Sequence, residues 1–204
     1  MPRTNLSMSM SADGYVAGPD QDEDHPLGVG GLGLHGWHIG PAADHPVNRQ
    51  VVSDMMDGVG AVIMGRNMFG PVRGDWGSSD WTGWWGEVPP YHCPVFVLTH
   101  YAREPIEMGG GTTFHFVTDG IESAYAQAEA AAGAQAISIA GGASCGRQAI
   151  RAGLVDEIDL QVSPVILGGG ERLFDGFAAG TPELELERVL QAPGVAHLRF
   201  RVLR

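Results

Sequence analysis

One short stretch of the sequence joins a strand, a turn and the start of a helix in direct succession. Residues 136–154 read AISIAGGASCGRQAIRAGL, where a run with Ile137 and Ile139 leads to Gly141-Gly142 and an amphipathic pattern follows. Two glycines between a strand and a helix present bare backbone N–H groups, and the helix dipole adds a field that favours a phosphate. The same residues also fit a plain tight turn, which is the common meaning of a lone glycine pair. The rest of the chain has to distinguish a phosphate site from a turn.

Strand-like and helix-like patterns alternate along most of the chain. Predicted strands cover residues 6–11, 15–17, 61–64, 94–99, 113–117, the run before Gly141, and residues 157–165. Predicted helices cover residues 46–56, 121–132 and the stretch after Gly142, and an antiparallel strand pair is predicted at 184–190 and 195–202. This order predicts an α/β fold with a mixed, mostly parallel central sheet and antiparallel C-terminal strands. At 204 residues, the chain is expected to form a single domain over residues 1–204.

Several segments between these elements lack a regular period. Residues 18–40 are predicted to form a long loop that begins acidic and becomes rich in glycine. Its GVGGLG run matches GxGxxG formally, but no strand precedes it, so we reject a dinucleotide fingerprint there. Asp44 is the expected N-cap of the helix at 46–56, and Gly58 and Gly60 are expected to end that helix. Residues 71–91 form an irregular segment with four tryptophans.

The charge balance excludes some partners. The chain has 24 acidic residues against 12 arginines and no lysine, which gives a formal net charge of −12. Such a surface repels nucleic acid and anionic membranes. No apolar run approaches a membrane span, and the N-terminus lacks the apolar core of a signal peptide. The two cysteines, Cys93 and Cys145, lie far apart and are expected to be reduced thiols, so a cytoplasmic protein is predicted.

Three predicted strand ends carry residues that suit a ligand. They are Gly65-Arg66-Asn67, Thr99-His100-Tyr101 and the turn from Gly141 to Ser144. In mostly parallel sheets, ligands bind beyond the carboxyl ends of the strands. The guanidinium of Arg66 can hold a phosphate with two parallel hydrogen bonds, although a surface salt bridge is an equal alternative. This convergence favours a dinucleotide over a bare turn.

Other chemical candidates are weaker. His35 and His38 lie in a glycine-rich loop without a third ligand at a regular spacing, so no metal site is predicted. Cys93 precedes a proline and a strand and is expected to be packed rather than nucleophilic. Asp54 and Asp57 are three residues apart near the end of the helix at 46–56, where a solvated face is the favoured interpretation.

An ordered set of motifs covers nearly the whole chain: MSMSADGYVAG, VIMGRNMFG, PVFVLTH, ISIAGGAS and LVDEIDLQVSPVILGGGERLF. This set resembles the dihydrofolate-reductase-like superfamily and, within it, the C-terminal reductase domain of bifunctional riboflavin-biosynthesis deaminase-reductases. The last of the five motifs is the most specific. The resemblance implies a three-layer α/β fold, NADPH as the hydride donor and a homodimer.

The resemblance also implies roles for individual residues. Arg66 matches the arginine that contacts the adenosine 2′-phosphate, and the turn that begins at Gly141 matches the segment over the pyrophosphate. Ala12 and Ala17 match the first strand and loop, which border nicotinamide and substrate. The full set of cofactor-binding residues that it implies is Ala12, Ala17, Gly65, Arg66, Asn67, Met68, Thr99, His100, Gly141, Gly142, Ala143 and Ser144.

The expected reaction is hydride transfer from NADPH to a small heterocyclic substrate, pterin-like or pyrimidine-like, or to a carbonyl substrate. Arg49 stands near the position at which dihydrofolate reductases carry a carboxylate, so ordinary dihydrofolate reduction is not expected. Asp13 is the predicted catalytic residue, and a histidine of residues 28–40 or solvent are the alternative proton sources. Two other interpretations stay open: a reductase of the same fold that uses a deazaflavin, and a non-catalytic nucleotide-binding protein.

Overall fold

The computed structural model describes residues 2–203, which divide into two compact units. The first unit holds residues 2–4 and 58–154, and the second holds residues 5–57 and 155–203. The strands are β1 (Thr4–Ser11), β2 (Tyr15–Ala17), β3 (Val59–Gly65), β4 (Pro94–Leu98), β5 (Ile106–Glu107), β6 (Thr113–Val117), β7 (Ala136–Gly141), β8 (Glu157–Ser163), β9 (Glu171–Arg172), β10 (Glu183–Ala192) and β11 (Val195–Leu203). The α-helices are α1 (Gly36–Ile39), α2 (Pro46–Met56), α3 (Arg66–Phe69), α4 (Ile121–Ala132) and α5 (Ala143–Arg151).

The first unit is built on five strands in the order β7-β3-β4-β6-β5. β3 is parallel to both β7 and β4, β4 is parallel to β6, and β5 runs antiparallel to β6. Residues 61–64 of β3 are fully buried, as expected for an apolar strand that is covered on both faces. α4 packs against β3 and β4 through small residues. The buried residues of α4 recur at helical spacing: Ile121, Ala124, Ala128 and Ala132.

The second unit has four long strands in the order β10-β11-β8-β1. β1 and β8 are parallel, whereas β11 runs antiparallel to both β8 and β10. Val51 of α2 packs with Trp37, Ala192 and Val195 in a hydrophobic cluster. The short strands β2 and β9 form a separate antiparallel pair. Parallel pairing through most of the chain and antiparallel pairing at its C-terminal end confirm the predicted α/β class.

The structure corrects three details of the predicted elements. Asp44 is not the N-cap of α2, because His45 takes that position and its ring accepts a hydrogen bond from the backbone nitrogen of Val47. Gly60 lies inside β3 rather than at the end of a helix. The predicted loop at 18–40 includes α1 and a 3-10 helix over Gly31–His35, so a sequence rich in glycine is nevertheless ordered locally.

The thiols of the described chain are buried. Cys93 and Cys145 form no disulfide. Burial raises the pKa of Cys93 to about 11 and the pKa of Cys145 to about 12. Thiols that stay protonated at neutral pH are poor nucleophiles, in agreement with a packing role for Cys93. Within residues 2–203, no helix has the length and apolar character needed to span a membrane.

Candidate functional site

Three strand ends of the first unit meet at one edge of its sheet. The register pairs Gly65, the last residue of β3, with Leu98 of β4, and it pairs Met64 with Gly141 at the end of β7. Because β3 is parallel to both neighbours, the chain leaves all three strands in the same direction. A Cβ atom on Gly65 would lie 3.4 Å from the backbone nitrogen of Gly142. The segments that follow these strands are therefore neighbours, as their order along the chain predicts.

The glycine turn opens onto the start of α5. Gly141 has a φ of 132°, which glycine adopts without strain, and the Gly141-Gly142 peptide bond is cis. Gly142 is the N-cap of α5, and no side chain caps the first N–H groups of this helix. A Cβ atom on Gly142 would meet no heavy atom of the described chain within 4 Å. A helix start without a side-chain cap, with room beside Gly142, suits a bound phosphate better than a filled turn does.

Arg66 begins α3 directly after β3, and its guanidinium is held by several contacts. Nε donates to the carbonyl oxygen of Val72 at 3.1 Å, and Nη1 donates to Oγ1 of Thr99 at 3.4 Å. Cζ lies 3.7 Å from the centroid of the Trp76 ring. Nη2 is buried and has no hydrogen-bond partner among the residues that the structure describes. The group is thus fixed in place while one nitrogen keeps its hydrogen-bonding capacity for an anion.

Arg66, Arg73 and Arg103 form a positive cluster without ion pairs among the described residues. Burial, followed by the charge of Arg73, lowers the pKa of Arg66, and Arg103 acts in the same direction. Within residues 2–203, no carboxylate lies within 4.0 Å of these three guanidinium groups, although Asp75 acts on Arg66 and Asp80 acts on Arg103 over longer distances. The three arginines of β10 and β11, in contrast, all have ion pairs. In a chain of net charge −12, this cluster is a local positive region whose charge suits an anion.

The other predicted residues of this unit surround the same edge. Thr99 is buried, and its hydroxyl also accepts a hydrogen bond from the backbone nitrogen of Tyr101 at 3.2 Å. The side-chain nitrogen of Gln148 donates to the Ser144 hydroxyl at 3.4 Å, so the hydroxyl proton of Ser144 is directed elsewhere. Of the remaining residues, Asn67 and His100 are exposed, Met68 is half-buried and Ala143 is buried.

In the second unit, Asp13 holds the glycine-rich loop that follows β8. The backbone nitrogens of Leu167 and Gly168 donate to its carboxylate at 3.1 and 2.8 Å. A hydrogen bond with the Ser11 side chain is the main reason that the pKa of Asp13 is lowered to about 2. Burial acts in the opposite direction, and the two backbone amides lower the pKa further. An ionised carboxylate has no proton to donate, so the geometry favours a positioning role, and the catalytic role of Asp13 stays a prediction. The other two predicted residues of this unit are Ala12, which is exposed, and Ala17, which is buried.

His35 and His38 contact each other in the segment before α2. Nδ1 of His35 lies 2.8 Å from Nε2 of His38. Burial, followed by the charge of His38, lowers the pKa of His35 to about 4, and burial also lowers the pKa of His38. Two neutral imidazoles at pH 7 are weak proton donors. Across the described residues, no group of three or more His, Cys, Asp or Glu side chains has an arrangement that could hold a metal ion.

A buried polar cluster between α2 and strands β8 and β11 has no counterpart among the sequence predictions. Asn48 donates to the carbonyl oxygen of Trp37 at 3.1 Å, and its Oδ1 lies 2.9 Å from Nε2 of His197. Because the amide nitrogen of Asn48 donates, its oxygen accepts, and this assigns the proton of His197 to Nε2. Gln161, the cross-strand partner of His197, donates to the Ser7 hydroxyl at 3.2 Å. The cluster ties α2 to the sheet.

Buried neutral histidines predict a loss of stability in mild acid. Burial lowers the pKa of four histidines below the ordinary value of 6.5: His35, His38, His115 and His197. The unfolded chain therefore takes up protons near pH 6.5 that the folded chain does not. The contribution of these histidines to the free energy of unfolding is fully present above that pH and is lost as the pH falls. For His35, whose pKa is about 4, the loss continues from pH 6.5 towards about 4 at up to about 1.4 kcal/mol per pH unit. Urea unfolding at a series of pH values measures this slope.

The control for this prediction removes two of the titrating groups. The double variant with His35→Gln and His38→Gln should show a shallower fall of the urea midpoint between neutral pH and about pH 5. The lowered pKa of Asp13 does not contribute to the change between these pH values. The stabilisation from Asp13 is lost only as the pH falls below 3.8, the ordinary pKa of an aspartate. A midpoint that is the same at both ends of the window in the unmodified protein would contradict the prediction.

Comparisons with known proteins agree with this architecture. The family model of the RibD C-terminal domain matches residues 2–198. A putative riboflavin biosynthesis protein from a Shewanella species is 22% identical over 99% of both chains, with a TM-score of 0.66. A pyrimidine reductase-like protein from Corynebacterium diphtheriae is 17% identical over 100% of this chain and 92% of the other, with a TM-score of 0.61. Dihydrofolate reductase from Enterococcus faecalis, complexed with NADP(H), is 12% identical over 99% of this chain and 97% of the other, with a TM-score of 0.58. A comparison with curated proteins gives no match.

The fold is therefore of the dihydrofolate-reductase-like class. Within that class, the chain belongs to the RibD C-terminal domain family, since the family model covers nearly its whole length. Both levels of the resemblance that the sequence motifs predict are confirmed. Membership supports an oxidoreductase of the riboflavin-biosynthesis reductase type.

Proposed function

We propose that this protein is an NADPH-dependent reductase that acts on a small heterocyclic substrate, pterin-like or pyrimidine-like, or on a carbonyl substrate. The observation that carries the proposal is that the start of α5 at Gly142 lies next to Gly65, directly before Arg66, whose Nη2 has no described hydrogen-bond partner. The helix start suits the pyrophosphate of such a cofactor, and the arginine suits its 2′-phosphate. A neighbour of the same fold is a dihydrofolate reductase complexed with NADP(H), which is consistent with the same cofactor here.

The chain's own residues bind and position rather than carry the redox chemistry. NADPH, when bound, supplies the hydride. Arg66 and the first amides of α5 fix the phosphates, and Asp13 fixes the loop at Leu167 and Gly168. Of the three proton sources that the sequence leaves open, Asp13 is ionised and the loop histidines are neutral at pH 7. We therefore propose that the proton comes from solvent.

Titration with NADPH tests the proposal. We expect micromolar binding, followed as an increase in cofactor fluorescence, and oxidation of the bound cofactor with at least one member of a pterin, pyrimidine and carbonyl panel. No binding of NADPH would overturn the proposal. Binding without oxidation by any member of the panel would favour the non-catalytic alternative, and selective binding of a reduced deazaflavin would favour the other one.

Substitution of Gly142 separates cofactor binding from folding. A Cβ atom at this position meets no described heavy atom within 4 Å, so Gly142→Ala should leave the melting temperature within a few degrees of the unmodified value. The added methyl group lies where the pyrophosphate is proposed to bind, and the overlap should weaken NADPH by about tenfold or more. Fluorescence titration and a thermal melt measure the two effects.

Gly36→Ala is the matched control for this substitution. Gly36 also has open space around its Cβ direction, and it belongs to the second unit, whereas the glycine turn belongs to the first. We expect unchanged NADPH affinity in the control. If Gly142→Ala bound NADPH as well as the unmodified protein does, the phosphates would not lie over Gly142.

A further inference from the structure

The Trp-rich segment at 71–91 has no role in the function proposed above, yet one of its rings is firmly placed. Trp76 is 7% exposed, and its indole nitrogen donates to the carbonyl oxygen of Tyr101 at 2.8 Å. Its ring packs edge-on against Phe69 and Phe116, with centroid distances of 6.0 and 5.2 Å. One hydrogen bond and two aromatic contacts therefore fix the orientation of the indole.

The fixed indole is the platform on which the guanidinium of Arg66 lies. The 3.7 Å separation between Cζ and the ring centroid is that of a close cation–π contact. This contact, together with the hydrogen bonds to Val72 and Thr99, sets the position of the guanidinium. Nη2 is left without a described partner as a consequence of these contacts, not through disorder of the side chain.

A second guanidinium contacts the same indole. Arg103 donates to the carbonyl oxygens of Trp81 and Ser79 at 2.7 and 3.1 Å, and its Cζ lies 4.9 Å from the Trp76 ring centroid. Two cations near one ring repel each other, and the charge of Arg103 indeed acts to lower the pKa of Arg66. The aromatic quadrupole offsets part of this repulsion.

An indole stabilises a guanidinium in a different way from a carboxylate. A carboxylate would neutralise the charge of Arg66 and occupy its N–H groups, whereas a ring face keeps the net charge and does not use the hydrogen-bonding capacity of Nη2. We propose that Trp76 is the positioning residue that prepares Arg66 for a phosphate monoester, and that it thereby sets the preference for NADPH over NADH. This inference rests on the proposed function, because it concerns the subsite for the 2′-phosphate.

The experiment compares two nucleotides that differ only in the 2′-phosphate. Dissociation constants for 2′,5′-ADP and 5′-AMP are measured by calorimetry on the unmodified protein, on Trp76→Met and on Trp76→Phe. Methionine fills the space without a ring face, and we expect the preference for 2′,5′-ADP to fall by about tenfold. Phenylalanine keeps a weaker ring face, and we expect a fall of about threefold. Both variants lose the hydrogen bond to Tyr101, so the difference between them isolates the ring.

Trp84→Met is the control from the same segment. Trp84 is half-buried and packs edge-on against Trp81 at 4.6 Å, so its replacement should leave the preference for 2′,5′-ADP unchanged. Near-ultraviolet circular dichroism reports whether each variant is folded. If Trp76→Met does not fold, Trp76→Phe decides the test.

The outcomes distinguish this inference from the proposed function. If the unmodified protein binds the two nucleotides equally, the proposed NADPH site fails. If the unmodified protein prefers 2′,5′-ADP and the folded Trp76 variants keep the same preference, the role of Trp76 is wrong. An equal loss of affinity for both nucleotides would also overturn it, because that result indicates a purely structural role.

Discussion

Replacement of Arg66 by alanine is expected to weaken NADPH by about 100-fold while NADH changes by about threefold or less. The difference is expected because the guanidinium is proposed to form charge-assisted hydrogen bonds with the 2′-phosphate, which NADH lacks. The contacts of Arg66 with Val72, Thr99 and Trp76 hold the guanidinium in place without the cofactor. Nη2 has no hydrogen-bond partner among the described residues, so this nitrogen is the one expected to bind the phosphate. Fluorescence titration with the two cofactors measures the ratio of dissociation constants.

Two further variants show whether that ratio depends on the donor geometry of Arg66. Arg66→Lys keeps the charge but not the planar arrangement of donors, and it should recover only part of the preference for NADPH. Arg201→Ala removes an exposed arginine of β11 in the second unit and should change the affinity for neither cofactor. An equal loss of NADPH and NADH in Arg66→Ala would show that Arg66 does not contact the 2′-phosphate.

The sequence predicts the long elements well because their patterns are strong. The helices at 46–56 and 121–132 and the strand at 113–117 have the same bounds in the structure. The two-residue strands β5 and β9 have no prediction, since a pattern of period two needs more residues than they contain. The helical turns over Gly31–His35 and in α1 are not predicted either. Glycine lowers helix propensity, and the short glycine-rich sequence has no apolar stripe of helical period.

The sequence predicts those contacts of the candidate site that depend on strand ends. It does not predict the contacts that depend on the path of irregular segments. The meeting of Gly65 and Gly142 follows from parallel strand order. The contact of Arg66 with Trp76 does not, because the six residues 70–75 between α3 and Trp76 are irregular and no periodicity predicts the path of that segment. Burial in the second unit is also hard to predict from the sequence. Ser7 and Gln161 are polar residues in alternating strand patterns, which is typical of solvent-exposed positions, yet both are buried in the cluster with Asn48 and His197.

One guanidinium of the second unit compensates two nearly buried carboxylates. Arg199 donates from Nε and Nη2 to the two oxygens of Asp159, both at 2.7 Å, and its Nη1 lies 3.9 Å from Glu157. The side chains of Glu157 and Asp159 are only 6% and 11% exposed, and that of Arg199 is 20% exposed. The hydrogen bonds to Asp159 are the main reason that the pKa of Arg199 is raised. Asn5 also donates to Asp159 at 2.7 Å. Such a pair adds little over a hydrophobic replacement of both partners, but removal of one partner is costly.

Arg199→Met is therefore expected to lower the free energy of unfolding by about 3 kcal/mol or more, because the carboxylate of Asp159 stays nearly buried without its cation. Arg201→Met is the matched control two residues along the same strand: its side chain is 52% exposed and pairs with Glu185 and Glu187, so the urea midpoint should not move. Urea unfolding of both variants at neutral pH makes the comparison. Addition of Asp159→Asn to Arg199→Met should recover part of the lost stability by removing one unpaired charge. Without that recovery, the loss would come from packing of the arginine stem, and the electrostatic explanation would be wrong.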